Sequence, residues 1–76
     1  MHNYAIRLGD TIRQRRELLD ILQSQLSALS GISTRTIQLV EQGKGNPSLL
    51  TLIQLADPLG LELQLLLKDP SKDIGI

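Results

Sequence analysis

The chain has no cysteine and almost no aromatic residues, with one tyrosine and no phenylalanine or tryptophan among its 76 residues. Without cysteine it can form neither disulfides nor thiolate metal sites, which fits a reducing compartment. Its single histidine, His2, cannot build a metal site alone. The sequence also has no glycine-rich phosphate loop after a strand and no clustered carboxylates. We therefore expect no cofactor, no metal and no enzymatic activity.

Long apolar runs are also missing, and the longest ones are far too short to span a bilayer. The first ten residues, MHNYAIRLGD, lack the apolar core of a secretory signal. These absences predict no membrane contact and a cytoplasmic location. A core built from 76 residues is only marginally stable. With disulfides and metals excluded, oligomerisation is the expected source of further burial.

The formal net charge is zero, which is not the footprint of a strongly basic nucleic-acid binder. The charges are unevenly distributed, however. Residues 1–44 carry six basic and four acidic side chains, whereas residues 45–76 carry two basic and four acidic ones. This asymmetry is compatible with an N-terminal part that faces DNA and an acidic far side.

Apolar residues recurring at intervals of three and four predict a first helix over residues 4–19 and a second from Gln23 to Ser30. The second helix is predicted to turn Leu26, Ser27 and Leu29 inward. Its N-cap position holds Leu22, which offers no side-chain acceptor. We expect that helix start to be frayed or capped from elsewhere.

The third and fourth helices are each preceded by a serine suited to N-capping. Ser33 precedes a helix that should run to about Gln42, with Gly43 as its stop. Ser48 precedes the fourth helix. Pro58 removes a backbone donor and clashes with a carbonyl one turn earlier. The fourth helix should therefore end near residue 56 or have a distorted last turn.

Residues 23–42 have the spacing of a helix-turn-helix. Ser27 is small enough for two helices to approach, and Gly31 supplies a bend that is costly for other residues. The branched side chains that would fill the space between the helices are Ile32, Ile37 and Val40. Such a unit mostly serves to lay its second helix in a DNA major groove.

After Gly60 the apolar period changes from helical to two. The alternating leucines are Leu61, Leu63, Leu65 and Leu67, which predicts a strand over residues 61–68 with one apolar face. A lone strand leaves half its backbone groups unpaired. The simplest remedy is antiparallel pairing with the same strand of a second copy about a two-fold axis. The alternative is a tail folded over its own core. Residues 69–76 are predicted to be a flexible tail.

Three segments resemble the xenobiotic-response-element helix-turn-helix family, which includes phage repressors and Cro proteins. They are I-R-x-x-R at 12–16, L-S-A-L-S-G-I-S at 26–33 and E-x-G-K-x-N-P-S-L at 41–49. The likeness covers about residues 8–61. It implies a mainly α, lambda-repressor-like bundle of four helices, with a DNA-binding domain over residues 1–60 and a dimerisation strand over 61–68. The ending GLELQLLLKD is similar to HipB-type antitoxins, in which C-terminal strands pair across the dimer.

The resemblance places the DNA contacts on and around the third helix. Arg35 is the best base reader, since a guanidinium can bond guanine O6 and N7 together. Gln38 suits adenine or phosphate, and Leu39 either touches a thymine methyl or packs. The remaining positions on or beside this helix are Ser33, Thr34, Thr36, Lys44 and Asn46. The alternatives are an ordinary solvated helix face, a cap at Ser33 and a turn at Asn46.

Two further roles follow from the resemblance. Gln23, at the start of the second helix, matches a position that donates to a phosphate, where the helix N-terminus also favours an anion. Arg16 and Glu41 match a structural ion pair that ties the first helix to the recognition helix. Arg16 is therefore expected to brace the fold rather than to contact DNA.

The function implied is a homodimeric repressor of a palindromic operator, the autoregulating antitoxin of a HipA/HipB-type system with a HipA-type kinase toxin as partner. Zero net charge and the acidic C-terminal part leave a second interpretation open. In that one the chain is mainly a toxin-neutralising interaction module, and DNA binding is secondary. A phage-type repressor with no toxin partner is the third.

Overall fold

A computed structural model describes residues 4–68, which form four α-helices and a short 3₁₀ turn. The helices are α1 Tyr4–Leu18, α2 Gln23–Ser30, α3 Thr34–Glu41 and α4 Leu49–Ala56, followed by the 3₁₀ turn Asp57–Leu59. This confirms the mainly helical fold of four helices. The predicted tail over residues 69–76 lies outside the described residues. Within residues 4–68, no helix has the length and apolar character needed to cross a bilayer.

The helix starts follow the predicted caps. The Ser33 and Ser48 hydroxyls accept hydrogen bonds from the backbone N–H groups of Thr36 and Thr51, at 3.2 and 3.1 Å. At α2, where Leu22 cannot cap, the Leu22 N–H donates instead to Gln25 Oε1 at 2.7 Å. The side chain of Gln25, three positions after the N-cap residue, thus caps the start of α2 in place of the Leu22 side chain. This contact is one of the two hydrogen bonds of a capping box.

A residue in the left-handed backbone conformation follows each of α1 and α3. Gly43, at φ +73°, follows α3 as predicted, and its N–H donates to Val40 O at 2.9 Å while Lys44 N–H donates to Leu39 O at 2.8 Å. This pair of bonds is a Schellman motif, which satisfies carbonyls that the helix leaves open. Asp20, at φ +57°, has the same role after α1. Both turns reverse the chain sharply enough for α1, α2 and α3 to pack together.

Pro58 ends α4 in the way that its chemistry requires. The α-helix stops at Ala56, and Pro58 lies in the 3₁₀ turn that follows, where its missing N–H leaves no α-helical bond unmade. Leu61 N–H then donates to Ala56 O at 3.0 Å, which turns Leu61 back onto the core. Arg15 Nε donates to Leu59 O at 2.8 Å and fastens this corner to α1.

The core is small and aliphatic. Its buried members are Ile12, Leu26, Ile37, Val40, Leu55 and Leu59. The prediction that Leu29 faces inward is wrong, because this side chain is 61% exposed. The less exposed positions of α2 are centred between Leu26, Ser27 and Ser30. At 3.6 residues per turn, Leu29 points about 100° away from that centre.

Residues 61–68 form no strand in the single chain. Leu61 packs against the core, and Leu63, 37% exposed, lines a groove with Leu8 and Leu52. Leu65 and Leu67 are fully exposed. The first half of the leucine stripe therefore lies over its own core, which was the alternative to an interface strand. Strand formation needs a partner strand, and residues 4–68 contain none; pairing with a second copy remains a prediction.

Gly9 is the point of closest approach between α1 and α3. It is buried, and a Cβ atom built on it would lie 2.0 Å from the carbonyl oxygen of Val40. No side chain fits at this distance, so α1 can cross the end of α3 only because residue 9 is glycine. Gly9 has no role among the features predicted from the sequence.

We predict that Gly9→Ala lowers the free energy of unfolding by at least about 1–3 kcal/mol, the usual cost of overpacking. In an exposed helix interior the same change stabilises by about 1 kcal/mol, so the expected sign is reversed. Urea denaturation measures it. Ser24→Ala, at an exposed position of α2, is the control and should change stability little. A Gly9→Ala protein as stable as the wild type would contradict the close approach.

Candidate nucleic-acid interface

Helix α3 is amphipathic, with one face in the core and the other in solvent. Ile37 and Val40 are buried and belong to the same core cluster as Leu26 of α2. Arg35 and Gln38 are exposed on the opposite side. Because the buried residues lie three apart, the same periodicity that holds α3 against α2 directs Arg35 and Gln38 outward.

The structure brings together six of the nine residues predicted to contact DNA. One shallow surface depression is lined by Arg35, Gln38, Leu39, Gln42 and Lys44. A second, adjoining depression is lined by Thr36, Leu39, Val40, Lys44, Gly45, Asn46 and Pro47. Leu39 and Lys44 belong to both, so the two form one surface, the α3 face. Gln42 is an addition to the predicted set; its place just after α3 was the available signal.

The α3 face carries positive charge that no side chain within residues 4–68 neutralises. The Arg35 and Lys44 side chains form no hydrogen bond or ion pair with any residue of the described range 4–68. Other arginines differ, since Arg13 pairs with Asp10 and Arg16 pairs with Glu41. Uncommitted guanidinium and ammonium donors on an exposed helix can bind phosphate oxygens and guanine edges.

Ser33 and Thr34 begin α3 beside this face. The Ser33 hydroxyl accepts from the Thr36 N–H and donates to Thr36 Oγ1 at 3.1 Å. It is therefore engaged as the helix cap, as the structural alternative anticipated. Thr34 and Asn46 are exposed.

Gln23, the first residue of α2, is half-buried and does not line the α3 face. Its Nε2 donates to Glu41 Oε1 at 3.0 Å. This contact was not foreseen from the sequence, where eighteen residues separate the two side chains. An amide nitrogen carries two hydrogens, so one remains available to an anion while the other bonds the carboxylate.

Arg16 and Glu41 form a bidentate ion pair that joins α1 to the end of α3. Arg16 Nε lies 2.7 Å from Glu41 Oε2, and Arg16 Nη2 lies 2.9 Å from Oε1. Their side chains are 11% and 4% exposed. Arg16 Nη1 also donates to Ile21 O at 2.8 Å. The guanidinium thus holds α1, the turn after it and α3 in one arrangement.

The hydrogen bond from Arg16 to Glu41 raises the pKa of the Arg16 guanidinium above its ordinary value, outweighing the burial that acts to lower it. The charges of Glu41 and Glu17 act in the same direction. A raised pKa means that stability from this group is lost only when the pH rises through the alkaline folded-state value. Arg16 is therefore charged at every pH near neutrality.

We predict that Glu41→Ala destabilises the fold by about 3–5 kcal/mol, because it leaves the buried Arg16 charge uncompensated. Thermal and urea denaturation measure the loss. Asp10→Ala is the matched control, since it removes the exposed Asp10–Arg13 pair, and it should cost less than about 1 kcal/mol. An unchanged melting temperature in Glu41→Ala, with DNA binding abolished, would instead make Glu41 part of the binding surface.

A match to a known protein family covers the predicted DNA contacts and the Arg16–Glu41 ion pair. A family model described as Helix-turn-helix matches residues 12–66, a range that includes Arg16, Glu41 and every residue predicted to contact DNA. An uncharacterized HTH-type transcriptional regulator of Haemophilus influenzae is 38% identical over 63 residues. That alignment covers 83% of this chain and 64% of the relative, so the chain spans less than two thirds of the relative's length.

Proposed function

The chain belongs to the helix-turn-helix family, whose model matches residues 12–66, and on that premise we propose that it is a sequence-specific DNA-binding transcriptional repressor. The observation that carries the proposal is the α3 face. It presents Arg35, Gln38 and Lys44 together on an exposed surface, and the two cations have no partner within residues 4–68. The H. influenzae relative, a transcriptional regulator by description, supports the same assignment.

In the proposed complex α3 lies in the major groove. Arg35 bonds the O6 and N7 atoms of a guanine, and Gln38 bonds an adenine or a nearby phosphate. Leu39, half-buried at the centre of the face, contacts a thymine methyl. These contacts read the base sequence.

Residues around the α3 face position the protein on the DNA backbone. Lys44 and Asn46, on the loop after α3, contact phosphates, as do the exposed Thr34 and the backbone near Ser33. Gln23 donates its second amide hydrogen to a phosphate at the N-terminus of α2, where the helix dipole also favours an anion. These contacts carry no sequence information, but they fix how α3 enters the groove.

We propose further that the repressor acts as a homodimer on a palindromic operator. Two recognition helices then enter successive major grooves about 34 Å apart. The small aliphatic core and the fully exposed Leu65 and Leu67 support this, because a second copy would bury apolar surface that one chain leaves in water. The exposed leucines lie on the segment after Gly60 and do not line the α3 face.

More specifically, we propose that the chain is the antitoxin of a HipA/HipB-type toxin–antitoxin system. Such a protein holds a kinase toxin and represses its own operon. Zero net charge and the acidic residues 45–76 favour a protein partner in addition to DNA. If toxin neutralisation is the main activity, an Arg35→Ala variant, whose DNA binding is weakened, should still neutralise a co-expressed toxin. If the chain is instead a phage-type repressor, it has no toxin partner to neutralise.

The test uses a duplex selected by the wild-type protein from a random pool, with binding followed by fluorescence anisotropy. Arg35→Ala removes one bidentate base contact from each half-site, so binding to this duplex should weaken by about 5- to 150-fold for each chain. The preference at one base pair in each half-site should also relax. Lys44→Ala should weaken binding to all sequences alike and lower the salt slope by about 1 for each chain.

Arg13→Ala is the control, because Arg13 is also exposed but already pairs with Asp10 on α1. It should leave affinity nearly unchanged. Binding should also weaken steeply as salt is raised, and two chains should bind each duplex. Failure to select any duplex, or full affinity in Arg35→Ala, would overturn the proposed function.

A further inference from the structure

We infer the register in which two copies of the chain pair their 61–68 segments: the segments run antiparallel, and Leu65 faces Leu65 across the two-fold axis. The inference rests on the proposed homodimer and specifies its surface. The segment belongs to no helix, and its alternating sequence gives it one leucine face and one mostly polar face.

The leucine face extends beyond the core of its own chain. Leu61 packs against that core, and Leu63 is 37% exposed at its edge. Leu65 and Leu67 follow on the same face and are 103% and 99% exposed. The stripe is therefore continuous in sequence but covered over only half its length. A second copy of the same stripe, running the other way, supplies the missing cover for both.

The charges at the two ends of the segment determine the register. When Leu65 faces itself, Leu63 faces the partner's Leu67, so positions 63, 65 and 67 of the apolar face pair leucine with leucine. On the other face Glu62 is directly opposite the partner's Lys68, and the symmetry makes this ion pair twice. Opposite charges facing each other across an antiparallel pair stabilise it, and like charges destabilise it.

In the neighbouring registers Glu62 and Lys68 no longer face each other across the two strands. A slip of one residue in the pairing turns the leucine face toward solvent in one chain. If residue 64 lies on the axis instead, Glu62 faces the partner's Leu66 and Lys68 faces the partner's Gly60. If residue 66 lies on the axis, Lys68 faces the partner's Gln64 and Glu62 has no counterpart within residues 61–68.

The exposed face of α4 gives independent support. Leu49 and Ile53, which are 65% and 39% exposed, line an apolar groove together with Leu52, Leu63, Gln64 and Leu65. With Leu65 on the axis, the partner's Leu67 lies opposite Leu63 and so at this groove. The overhanging leucine of each copy thereby covers apolar side chains on α4 that its own chain leaves exposed.

Because the chain has no cysteine, single substitutions test the register without background. Directly opposite residues have Cα atoms about 4.5–5.5 Å apart, within the range of a disulfide. Under diamide oxidation, full-length Leu65→Cys should cross-link to itself. Leu63→Cys and Leu67→Cys should not cross-link separately but should do so when mixed. Leu66→Cys, on the other face and opposite Gln64, is the control and should not cross-link.

A charge exchange tests the same pairing without cysteine. Glu62→Lys and Lys68→Glu should each weaken the dimer several-fold in analytical ultracentrifugation, and the double variant should recover it. Recovery is the informative result, because a merely structural effect of either change would add rather than cancel.

The outcomes separate the register from the proposed function. A wild-type protein that is monomeric at all concentrations would overturn the homodimer and this inference with it. A dimer in which Leu66→Cys cross-links to itself and Leu65→Cys does not would overturn the register and leave the homodimer standing. A dimer that cross-links at none of residues 63–67 would place the interface elsewhere on the chain.

Discussion

The bidentate contact between Arg16 and Glu41 is the interaction on which the arrangement of this domain depends. Helix α3 has eight residues, too few to be stable alone in water, so its position comes from its neighbours. The ion pair fixes its C-terminal end to α1, while Gly9 allows the two backbones to touch beside Val40. A buried ion pair of this kind adds little net stability over an apolar pair. Its contribution is to permit one geometry and penalise the others.

This constraint separates the charged residues into two groups. Arg16 is buried and donates its hydrogen bonds to Glu41 and to the Ile21 carbonyl. Arg35 and Lys44 lie on the α3 face, and neither side chain has a partner within residues 4–68. Gln23 connects the groups, because its amide is held by the same carboxylate that holds Arg16. The orientation of a proposed phosphate contact thus depends on the brace between α1 and α3.

The helix bounds could be predicted from residues at the helix ends. Serine caps, the glycine after α3 and the helix-breaking Pro58 placed the helix bounds to within about two residues. Gly9 could not be recognised, because a glycine required for packing has the same sequence signal as one that is merely tolerated in a helix. Leu29 was misplaced because a two-turn helix buries too few positions for its phase to be fixed by the pattern. Leu61 and Leu63 show the limit of periodicity, which identifies an apolar face but not the surface that covers it.

The claim that the braced α3 face meets DNA is tested most directly by titrating ¹⁵N-labelled protein with its selected duplex and mapping the amide shifts by NMR. We expect the largest changes over residues 33–46 and at Gln23, with α4 and residues 61–68 unaffected apart from any effect of dimerisation. Large changes confined to α4 and residues 61–68, with Arg35 and Gln38 unmoved, would contradict it.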